Sequence, residues 1–459
     1  MEKLLLSVGG SDSSGGAGIQ ADIKTFAALG FHGASAITAV TAQNTLGVVE
    51  VYPLPPGAVA AQMKAVASDS EIAAAKTGML FSAEIVSKVA DFFEAEGTPL
   101  VVDPVMEAEA GGRLLETRAL ELVRKRLIPL ARVVTPNIFE AETITRIEVS
   151  DERSAIEAGS AIIDLGAQAA VVTGGHLQGD DILVTAEGHL VIRGRRVAGG
   201  NHGVGCTYSA ALAAFLARGW SIERAAAAAN KFAASSVSRS IDVGRGPSPV
   251  NPIGEALERA ERFDVLMEVE RGVEILLEEP AFLQLIPEVG SNIGMAISKA
   301  SGTEDVAAVE GRLVRSGSRA KACGSVRFGA SGHVARVILS SISCDPEARS
   351  GMNIRFGEDV LAAVRTLGLS ASHFSREEEP SASKTMSWGT QEAIRLFKEG
   401  QSAGLSPSGR LESVPAVIWD RGGPGKEPMV RLLGRSASGV AKVAVEIARR
   451  LSAGQEPIN

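Results

Sequence analysis

The stretch NHGVGCTYSAALAAFLARG (201–219) places a cysteine where a helix is predicted to begin. Apolar residues recur at helical spacing after this point, and Gly219 closes the pattern. Gly203 and Gly205 allow a tight turn, and a turn that opens a helix presents backbone N–H groups to an anion. A thiol in that field ionises more easily. The stretch therefore predicts a phosphate cradle with a reactive thiol at Cys206, although an inert, buried cysteine fits it equally well.

A second glycine-rich stretch, GGSDSSGGAGIQAD (9–22), follows the first apolar run. It has the glycine content of a phosphate loop but lacks the Gly-Lys-Ser/Thr ending that brings a lysine to the phosphates. We therefore expect a substrate loop whose glycines permit close backbone contact, with a plain turn as the alternative.

The second half of the chain combines glycines with basic residues. In WDRGGPGKEPMVRLLG (419–434), cations flank glycines whose backbone N–H groups are unhindered. This combination predicts an anion site for phosphate or pyrophosphate, with a solvated basic loop as the alternative. The cations are Arg421, Lys426 and Arg431. Asn353 and Arg355, in the stretch MNIRF (352–356), are further predicted phosphate contacts, and Asn292, His333 and Arg336 are polar residues in other glycine-containing stretches.

Short apolar runs alternate with helical patterns in the first half, which predicts an α/β fold with a parallel sheet covered by helices on both faces. Ligands of such sheets bind beyond the carboxyl ends of the strands. Polar residues lie at those predicted ends, among them Gln43, Asp103 and Asn137. The predicted strands are 3–8, 34–42, 71–78, 99–105, 131–137 and 169–175.

The Gly/Pro-rich stretch 243–252 is typical of a domain boundary, and a helical pattern restarts at Arg262. We therefore expect a first domain over 1–258 and a second, mixed α/β domain over 265–459. In the second, SVRFGA and HVARVILSSIS (333–343) are predicted strands, and the polar segment 374–389 is a predicted loop.

Composition narrows the class of protein. A chain of 459 residues predicts two or three domains, and a net charge of −8 argues against broad nucleic-acid binding. Three cysteines at irregular spacing favour a reducing cytoplasm over a disulfide scaffold. No apolar stretch has the length of a signal peptide core or a membrane span, so we expect no membrane partner.

Residues 1–258 closely resemble the hydroxymethylpyrimidine (phosphate) kinases, which have a ribokinase-like fold. The resemblance rests on several motifs in the same order: GSDSSGGAGIQADIKTFAALG, TAVTAQNTLGV, KTGML, DPVM, TPNIFEAE, GGH and HGVGCTYSAALAA. It implies ATP-dependent phosphorylation, with Cys206 as the base for the attacking hydroxyl and the amides of Gly203 and Gly205 in the anion hole. It further implies that Asp103 and Glu140 hold Mg²⁺ near the phosphates, with Asn137 beside them.

The substrate positions follow from the same resemblance. Gln43 pairs a donor and an acceptor, as the edge of an aminopyrimidine requires. The other substrate positions implied are Gly10, Asp22, Met79 and Val105. One departure is Thr173, a phosphate-binding position where bacterial relatives often carry a lysine. A pyridoxal kinase is the alternative, against which Gln43 and Cys206 both argue.

Residues 265 to about 455 resemble the thiamine-phosphate synthase domain found mostly in archaea. That resemblance implies that an arginine and a histidine are essential, most naturally Arg312 and His333, although Arg315 and Arg319 lie close to the first. It implies condensation of hydroxymethylpyrimidine diphosphate with thiazole phosphate, with release of pyrophosphate. The alternative is a ligand-sensing module without catalysis. We expect a homo-oligomer whose partners are these small-molecule substrates.

Overall fold

The computed structural model describes residues 3–107, 114–174, 179–194, 196–379, 385–400 and 413–453. The chain divides into two compact units, Met1–Leu257 and Glu258–Asn459. No helix in these described ranges is long and apolar enough to cross a membrane.

The first unit alternates strands and helices, as the sequence predicts. Its strands are β1 (Leu4–Asp12), β2 (His32–Asn44), β3 (Gly47–Pro53), β4 (Ile72–Thr77), β5 (Leu100–Val102), β6 (Val133–Val134), β7 (Ala169–Val172), β8 (Asp181–Thr185) and β9 (Gly188–Ile192). Its helices are α1 (Gly18–Ala28), α2 (Pro56–Ala67), α3 (Ala83–Glu96), α4 (Thr117–Leu122), α5 (Ile138–Thr145), α6 (Glu152–Asp164), α7 (Val204–Ala217) and α8 (Ile222–Ser238).

The nine strands form one sheet in the order β3-β2-β1-β4-β5-β6-β7-β8-β9. The six central strands, β2-β1-β4-β5-β6-β7, pair in parallel, whereas β3, β8 and β9 are antiparallel additions at the two edges. The prediction of a parallel sheet is therefore correct for the centre and wrong for the edges. The edge strands β8 and β9 are joined by a short turn, and only antiparallel strands can be joined so closely.

Neighbouring residues of the central strands enter cores on opposite faces of the sheet. Leu5 packs with α1, α7 and α8, whereas Leu6 packs with α2 and α3 on the other face. Val101 and Val102 divide between the same two cores. Side chains alternate across a strand, so a strand covered on both faces must be apolar throughout. This requirement explains the short continuous apolar runs of the sequence.

The long helix α9 (Gly254–Glu278) contains the boundary between the two units, Leu257/Glu258. The helix begins eight residues before Arg262, where the sequence predicts its start. The second unit contains β10 (Ile293–Ala296), β11 (Val306–Val309), β12 (Leu313–Ser316), β13 (Arg319–Ala322), β14 (Val326–Phe328), α10 (Gly332–Ile342), β15 (Ser350–Arg355), α11 (Glu358–Thr366), β16 (Ala371–His373), α12 (Thr385–Gly400), β17 (Val417–Asp420), β18 (Met429–Gly434) and α13 (Ala437–Ala453). Its main sheet has the order β14-β11-β10-β15-β18-β17-β16, and β12 and β13 form a separate hairpin.

Two predictions for the second unit are wrong. The segment HVARVILSSIS forms helix α10, whose buried residues Val334, Val337, Ile338 and Ser341 recur at helical spacing behind the N-cap Ser331. Its β-branched residues suggested a strand, but packing of one face decides the structure. In the predicted loop 374–389, residues 376–378 form a 3₁₀ turn and α12 begins at residue 385, while 380–384 lie outside the described residues.

Candidate active sites

A cavity of about 930 Å³ opens beyond the carboxyl ends of β1, β4, β5, β6 and β7. Every site residue predicted for the first half lines it. These residues are Gly10, Asp22, Gln43, Met79, Asp103, Val105, Asn137, Glu140, Thr173, Gly203, Gly205 and Cys206. The GGH motif falls at 174–176, and residues 175 and 176 lie outside the described residues.

The turn before α7 has the geometry that its glycines predict. Gly203 is the N-cap residue with φ 88°, in the left-handed region. A Cβ atom at this position would lie 1.9 Å from the carbonyl oxygen of Gly16, so a larger residue would clash with the other glycine-rich loop. Cys206 is the third residue of α7 and lines the cavity at the helix N-terminus.

The prediction that the Cys206 thiol ionises easily is wrong. Burial and the carboxylates of Asp22 and Asp103 together raise its pKa to about 12. The Lys76 ammonium acts in the opposite direction but does not outweigh them. The thiol is therefore protonated at neutral pH, because a buried anion beside two carboxylates is unfavourable.

Sequence analysis missed Lys76, the last but one residue of β4. Its ammonium is 1% exposed and lies 3.0 Å from Asp22 Oδ1 and 3.6 Å from Asp103 Oδ2. Ser7 donates to Asp22 at 2.6 Å and Ser209 donates to Asp103 at 2.8 Å. In the sequence, Lys76 stands out as a lysine near the end of the apolar run IAAAK (72–76). A lysine buried in such a strand needs charged partners, so this position could have been predicted to carry a buried ion pair.

Both predicted metal ligands are buried in the cavity wall. Burial, and to a smaller extent the nearby Asp103 carboxylate, raise the pKa of Glu140 to about 8. Glu140 Oε2 also accepts from the Asn137 N–H at 2.9 Å, while Asn137 Oδ1 accepts from the Glu140 N–H, which forms a capping box at the start of α5. Among the residues described, no group of three or more potential metal ligands occurs.

A further pair that the sequence did not suggest joins the two glycine-rich loops. His202 Nε2 lies 3.1 Å from Asp12 Oδ2, and that carboxylate also accepts from the N–H groups of Gly16 and Ala17. Burial alone would raise the pKa of Asp12, but hydrogen bonds from His202, Ser14 and the backbone lower it to about 2. This carboxylate therefore fixes the loop beside the cradle.

The residues predicted to contact the substrate include both apolar and polar side chains. Met79 is buried against Gly10, where an added Cβ atom would lie 2.8 Å from the Met79 sulfur. Gln43 Oε1 accepts from Thr41 Oγ1 at 3.2 Å. Farther along the cavity wall, Thr173 Oγ1 donates to the Pro136 carbonyl at 3.4 Å. Asp22 differs from the other predicted substrate contacts, since its oxygens already bind Lys76 and Ser7.

The second unit has its own cavity of about 580 Å³. Its lining includes the predicted residues Arg312, His333, Asn353, Lys426 and Arg431, together with Asn292, Arg336 and Arg376.

Two predicted phosphate contacts do not line this cavity. Arg355 binds Asp359, with Nη2 at 2.5 Å from Oδ2, and Arg421 binds Glu358 at 3.0 Å. For these two the prediction is wrong, because ion pairs on the outer surface of the unit hold their guanidinium groups.

His333 is neutral at physiological pH. Burial and the surrounding Arg431, Arg336, Arg312 and Arg376 together lower its pKa to about 4. Its Nε2 atom is buried and has no hydrogen-bond partner among the described residues.

The candidate arginines differ in position. Arg312 has φ 79° and its guanidinium donates to the Val289 carbonyl at the cavity wall. Arg315 instead donates to the Ile286 carbonyl, and neither it nor Arg319 lines the cavity. The geometry thus favours Arg312 among the three.

The sheet and the cradle of the first unit define the class: an α/β kinase of ribokinase-like fold. Two family models match the chain, phosphomethylpyrimidine kinase over residues 12–251 and thiamine-phosphate synthase ThiN over residues 268–446. The chain belongs to the family of bifunctional thiamine biosynthesis proteins that join these two parts.

Individual relatives agree with this assignment. The bifunctional thiamine biosynthesis protein ThiDN of Methanocaldococcus jannaschii is 31% identical and aligns with 98% of this chain and 99% of its own length. A hydroxymethylpyrimidine/phosphomethylpyrimidine kinase of Haemophilus influenzae is 44% identical over 54% of this chain and 96% of its own. An ADP complex of Bacillus subtilis pyridoxal kinase has a TM-score of 0.53 and 33% identity, and covers 56% of this chain and all of that one. ATP use by the kinase part is consistent with that complex.

Proposed function

We propose that the first unit phosphorylates hydroxymethylpyrimidine and its monophosphate with ATP, and that the second joins the resulting diphosphate to thiazole phosphate. The observation that carries the first step is the assembly of every predicted kinase residue around one cavity. The observation that supports the second is a separate cavity lined by five cationic side chains: Arg312, Arg336, Arg376, Lys426 and Arg431.

In the kinase step, the substrate oxygen attacks the terminal phosphorus of ATP and the bond to the ADP oxygen breaks. The backbone N–H groups at the start of α7, from Gly203 to Cys206, would stabilise the transferring phosphoryl group. Cys206 would accept the hydroxyl proton. Its raised pKa means that the thiol must first lose its own proton to solvent water, and the positive charge of Lys76 favours this loss. The thiolate then takes the proton of the attacking hydroxyl and is a thiol again after the transfer.

Mg²⁺ fits the wall beside the phosphates. Asp103 and Glu140 are two buried carboxylates, and burial together with the Asp103 charge raises the pKa of Glu140. A cation between the two would relieve this repulsion. Mg²⁺ commonly uses one or two carboxylates plus water and phosphate oxygens, so two protein ligands suffice. When bound, the ion would neutralise charge on the phosphates. Asn137 and Thr173 would lie along the phosphate chain.

The pyrimidine would be bound by the predicted substrate residues. Met79 and Val105 offer surfaces for the ring faces, and Gly10 leaves room for close approach. Gln43 would pair with the amine and a ring nitrogen. Asp22 would act through Lys76 rather than by contacting the substrate, because its oxygens are already bound.

In the synthase step, the bond between the pyrimidine methylene carbon and the diphosphate oxygen breaks, and a bond forms from that carbon to the thiazole nitrogen. Charge develops on the departing pyrophosphate, where Arg312, Lys426 and Arg431 would stabilise it. His333 would contribute a neutral imidazole, which can donate or accept one hydrogen bond. Asn353 donates from its side chain to the Gly290 carbonyl and would shape the cavity wall.

The test is a single assay of the full chain with hydroxymethylpyrimidine, Mg-ATP and thiazole phosphate. We expect thiamine phosphate and pyrophosphate as products. Pyridoxal offered in place of the pyrimidine tests the alternative kinase, and faster phosphorylation of pyridoxal would reject the proposal for the first unit. Diphosphate formation without thiamine phosphate would favour a sensing role for the second.

Three further aspects belong to the proposal. We expect the two domains, 1–258 and 265–459, to fold independently. Because α9 begins at Gly254, a cut that separates them is best placed before that residue, in the Gly/Pro-rich stretch 243–252. We expect a homo-oligomer acting on small molecules without nucleic acid, in keeping with the charge of −8. Its free cysteines and its ATP requirement favour the cytoplasm. Light scattering of the purified chain tests the oligomer.

A further inference from the structure

A buried cluster of three charged side chains lies at the second cavity. Asp420 is 0% exposed and Arg431 is 2% exposed, and Arg376 approaches both from the 3₁₀ turn after β16. Two guanidinium groups share one carboxylate here, so the cluster keeps an excess positive charge. Arg376 and Arg431 both line the cavity, which makes this excess charge available to an anionic ligand.

The Asp420 carboxylate accepts two hydrogen bonds from Arg376 and one from Arg431. Arg376 binds it with the side edge of its guanidinium, through Nε at 2.5 Å from Oδ1 and Nη2 at 3.3 Å from Oδ2. Arg431 binds it through Nη1 alone, at 2.8 Å from Oδ2. The equivalent side edge of Arg431, formed by Nε and Nη2, is buried and has no partner among the described residues.

The unpaired edge is the one best suited to oxyanions. The Nε–H and Nη2–H groups of a guanidinium form a planar fork that matches two oxygens of a carboxylate or phosphate. A buried donor pair is rarely left unsatisfied in a native protein. Asp420 is the nearest anion, and it would itself fit this fork if Arg376 did not already hold both of its oxygens.

We propose that Arg376 is a positioning residue of the synthase cavity, which holds Asp420 so that the side edge of Arg431 stays available for the diphosphate group. The inference rests on the proposed function for the identity of the substrate. The diphosphate is favoured over a monophosphate because the remaining lining is also basic, with Arg312, Arg336 and Lys426 facing the same space and Glu427 as its one acidic member among the described residues.

The experiment uses the full chain and inorganic pyrophosphate as the probe, measured by titration calorimetry. Arg376→Gln removes the side chain that holds Asp420, so this carboxylate can turn onto the fork of Arg431. We expect pyrophosphate affinity to fall roughly 10- to 100-fold, the value of a lost charge-assisted bidentate contact. Arg376→Lys keeps the charge but not the fork, and we expect most of the same loss. Any pyrophosphate that binds in the first cavity should do so equally in all variants, because the substituted residues do not line that cavity.

Arg262→Gln is the matched control. Arg262 resembles Arg376 in its contacts: each pairs with an aspartate, Asp305 or Asp420, and each lies near a phenylalanine ring. Arg262 differs in that it does not line the cavity. The variant Arg262→Gln should therefore leave pyrophosphate affinity unchanged. In the synthase assay, Arg376→Gln should raise KM for the diphosphate substrate more than it lowers kcat.

Wild-type affinity in Arg376→Gln would overturn the inference. Wild-type affinity in Arg376→Lys would do the same, since charge without positioning would then suffice. Inorganic phosphate binding as tightly as pyrophosphate would reject the diphosphate assignment. If the wild-type protein forms no thiamine phosphate at all, the proposed function fails, but the pyrophosphate titrations still decide the role of Arg376.

Discussion

In the first cavity one ammonium, Lys76, is buried between two carboxylates, whereas in the second one carboxylate, Asp420, is buried between two guanidinium groups. The pKa of the candidate reactive group shifts upward in the first cavity and downward in the second. Burial and the carboxylates raise the pKa of the Cys206 thiol to about 12, while burial and the arginines lower the pKa of His333 to about 4. Both groups are thereby uncharged at pH 7.

The contrast separates two kinds of chemistry. A cavity with paired charges and a half-buried thiol suits transfer of a phosphoryl group from a nucleotide, where the proton of a hydroxyl must be moved. A cavity with excess positive charge suits the departure of pyrophosphate, where no proton need move and negative charge develops. The residues that carry each reaction should therefore be separable by mutation.

The largest effect is expected for Cys206→Ala. Losing the proton acceptor should lower the rate of pyrimidine phosphorylation by about 10²- to 10⁴-fold, because general-base catalysis typically contributes that much. Cys206→Asp should retain part of the activity. Synthase activity on supplied diphosphate should be unchanged. Steady-state kinetics of both reactions on the same preparation provide the measurement.

Cys344→Ala is the control for this variant, since Cys344 is a free cysteine of the second unit that lines neither cavity. It should phosphorylate the pyrimidine at the wild-type rate. Near wild-type turnover in Cys206→Ala would show that the thiol does not take the proton.

The second effect concerns Arg312→Ala and His333→Ala. Each should lower thiamine phosphate formation from supplied diphosphate and thiazole phosphate by about 10²-fold, the typical cost of one donor to developing charge. Each should leave the kinase rate intact, because neither residue lies in the first cavity. Arg319→Ala, an exposed arginine outside the second cavity, is the control. Full synthase activity in either variant would remove that residue from the site.

The third prediction follows the raised thiol pKa. In a protein with Cys323 and Cys344 replaced by serine, alkylation of Cys206 should rise about tenfold per pH unit from pH 7 to 10, because only the thiolate reacts. A thiol of ordinary pKa, about 8.5, would level off within this range. Lys76→Met should slow the reaction further at each pH. A plateau near pH 8 would mean that the cavity lowers the pKa instead.

The smallest effect concerns the pair that joins the glycine-rich loops. Because the pKa of Asp12 is lowered from 3.8 to about 2, its ionised form stabilises the fold above pH 4, and this contribution is lost as the pH falls toward 2. Asp12→Asn should therefore lower the free energy of unfolding at pH 7 by about 2 kcal/mol. Urea unfolding checks this, with the exposed Asp69→Asn as control. Equal stabilities of the two variants would contradict it.

The sequence predicts the first cavity well, because its signals are local. Glycines before a helix and polar residues at strand ends, such as Gly203 and Asp103, mark the site whatever surrounds them. Lys76 was missed since its significance depends on Asp22, which is 54 positions away in the chain. The pKa of Cys206 was predicted in the wrong direction for the same reason: the helix terminus is local, but the two carboxylates are not.

The second cavity was predicted less well. Arg421 and Arg355 were chosen by composition, yet their guanidinium groups pair with surface carboxylates. Arg376 lies in a polar segment that gave no sign of order, and its role follows from a carboxylate 44 residues later. For helix α10, the spacing of Val334 and Ile338 behind Ser331 indicates a helix, whereas its β-branched residues favour a strand, and the spacing is the signal that agrees with the structure.

In the proposed function, two cavities in one chain perform consecutive reactions through different residues. This claim is tested most directly by mixing purified Cys206→Ala with purified His333→Ala and supplying hydroxymethylpyrimidine, Mg-ATP and thiazole phosphate. Each variant alone should form almost no thiamine phosphate. The mixture should form it, because the intact first unit of one protein supplies diphosphate to the intact second unit of the other. Failure of the mixture, when each variant retains its other activity, would contradict the claim.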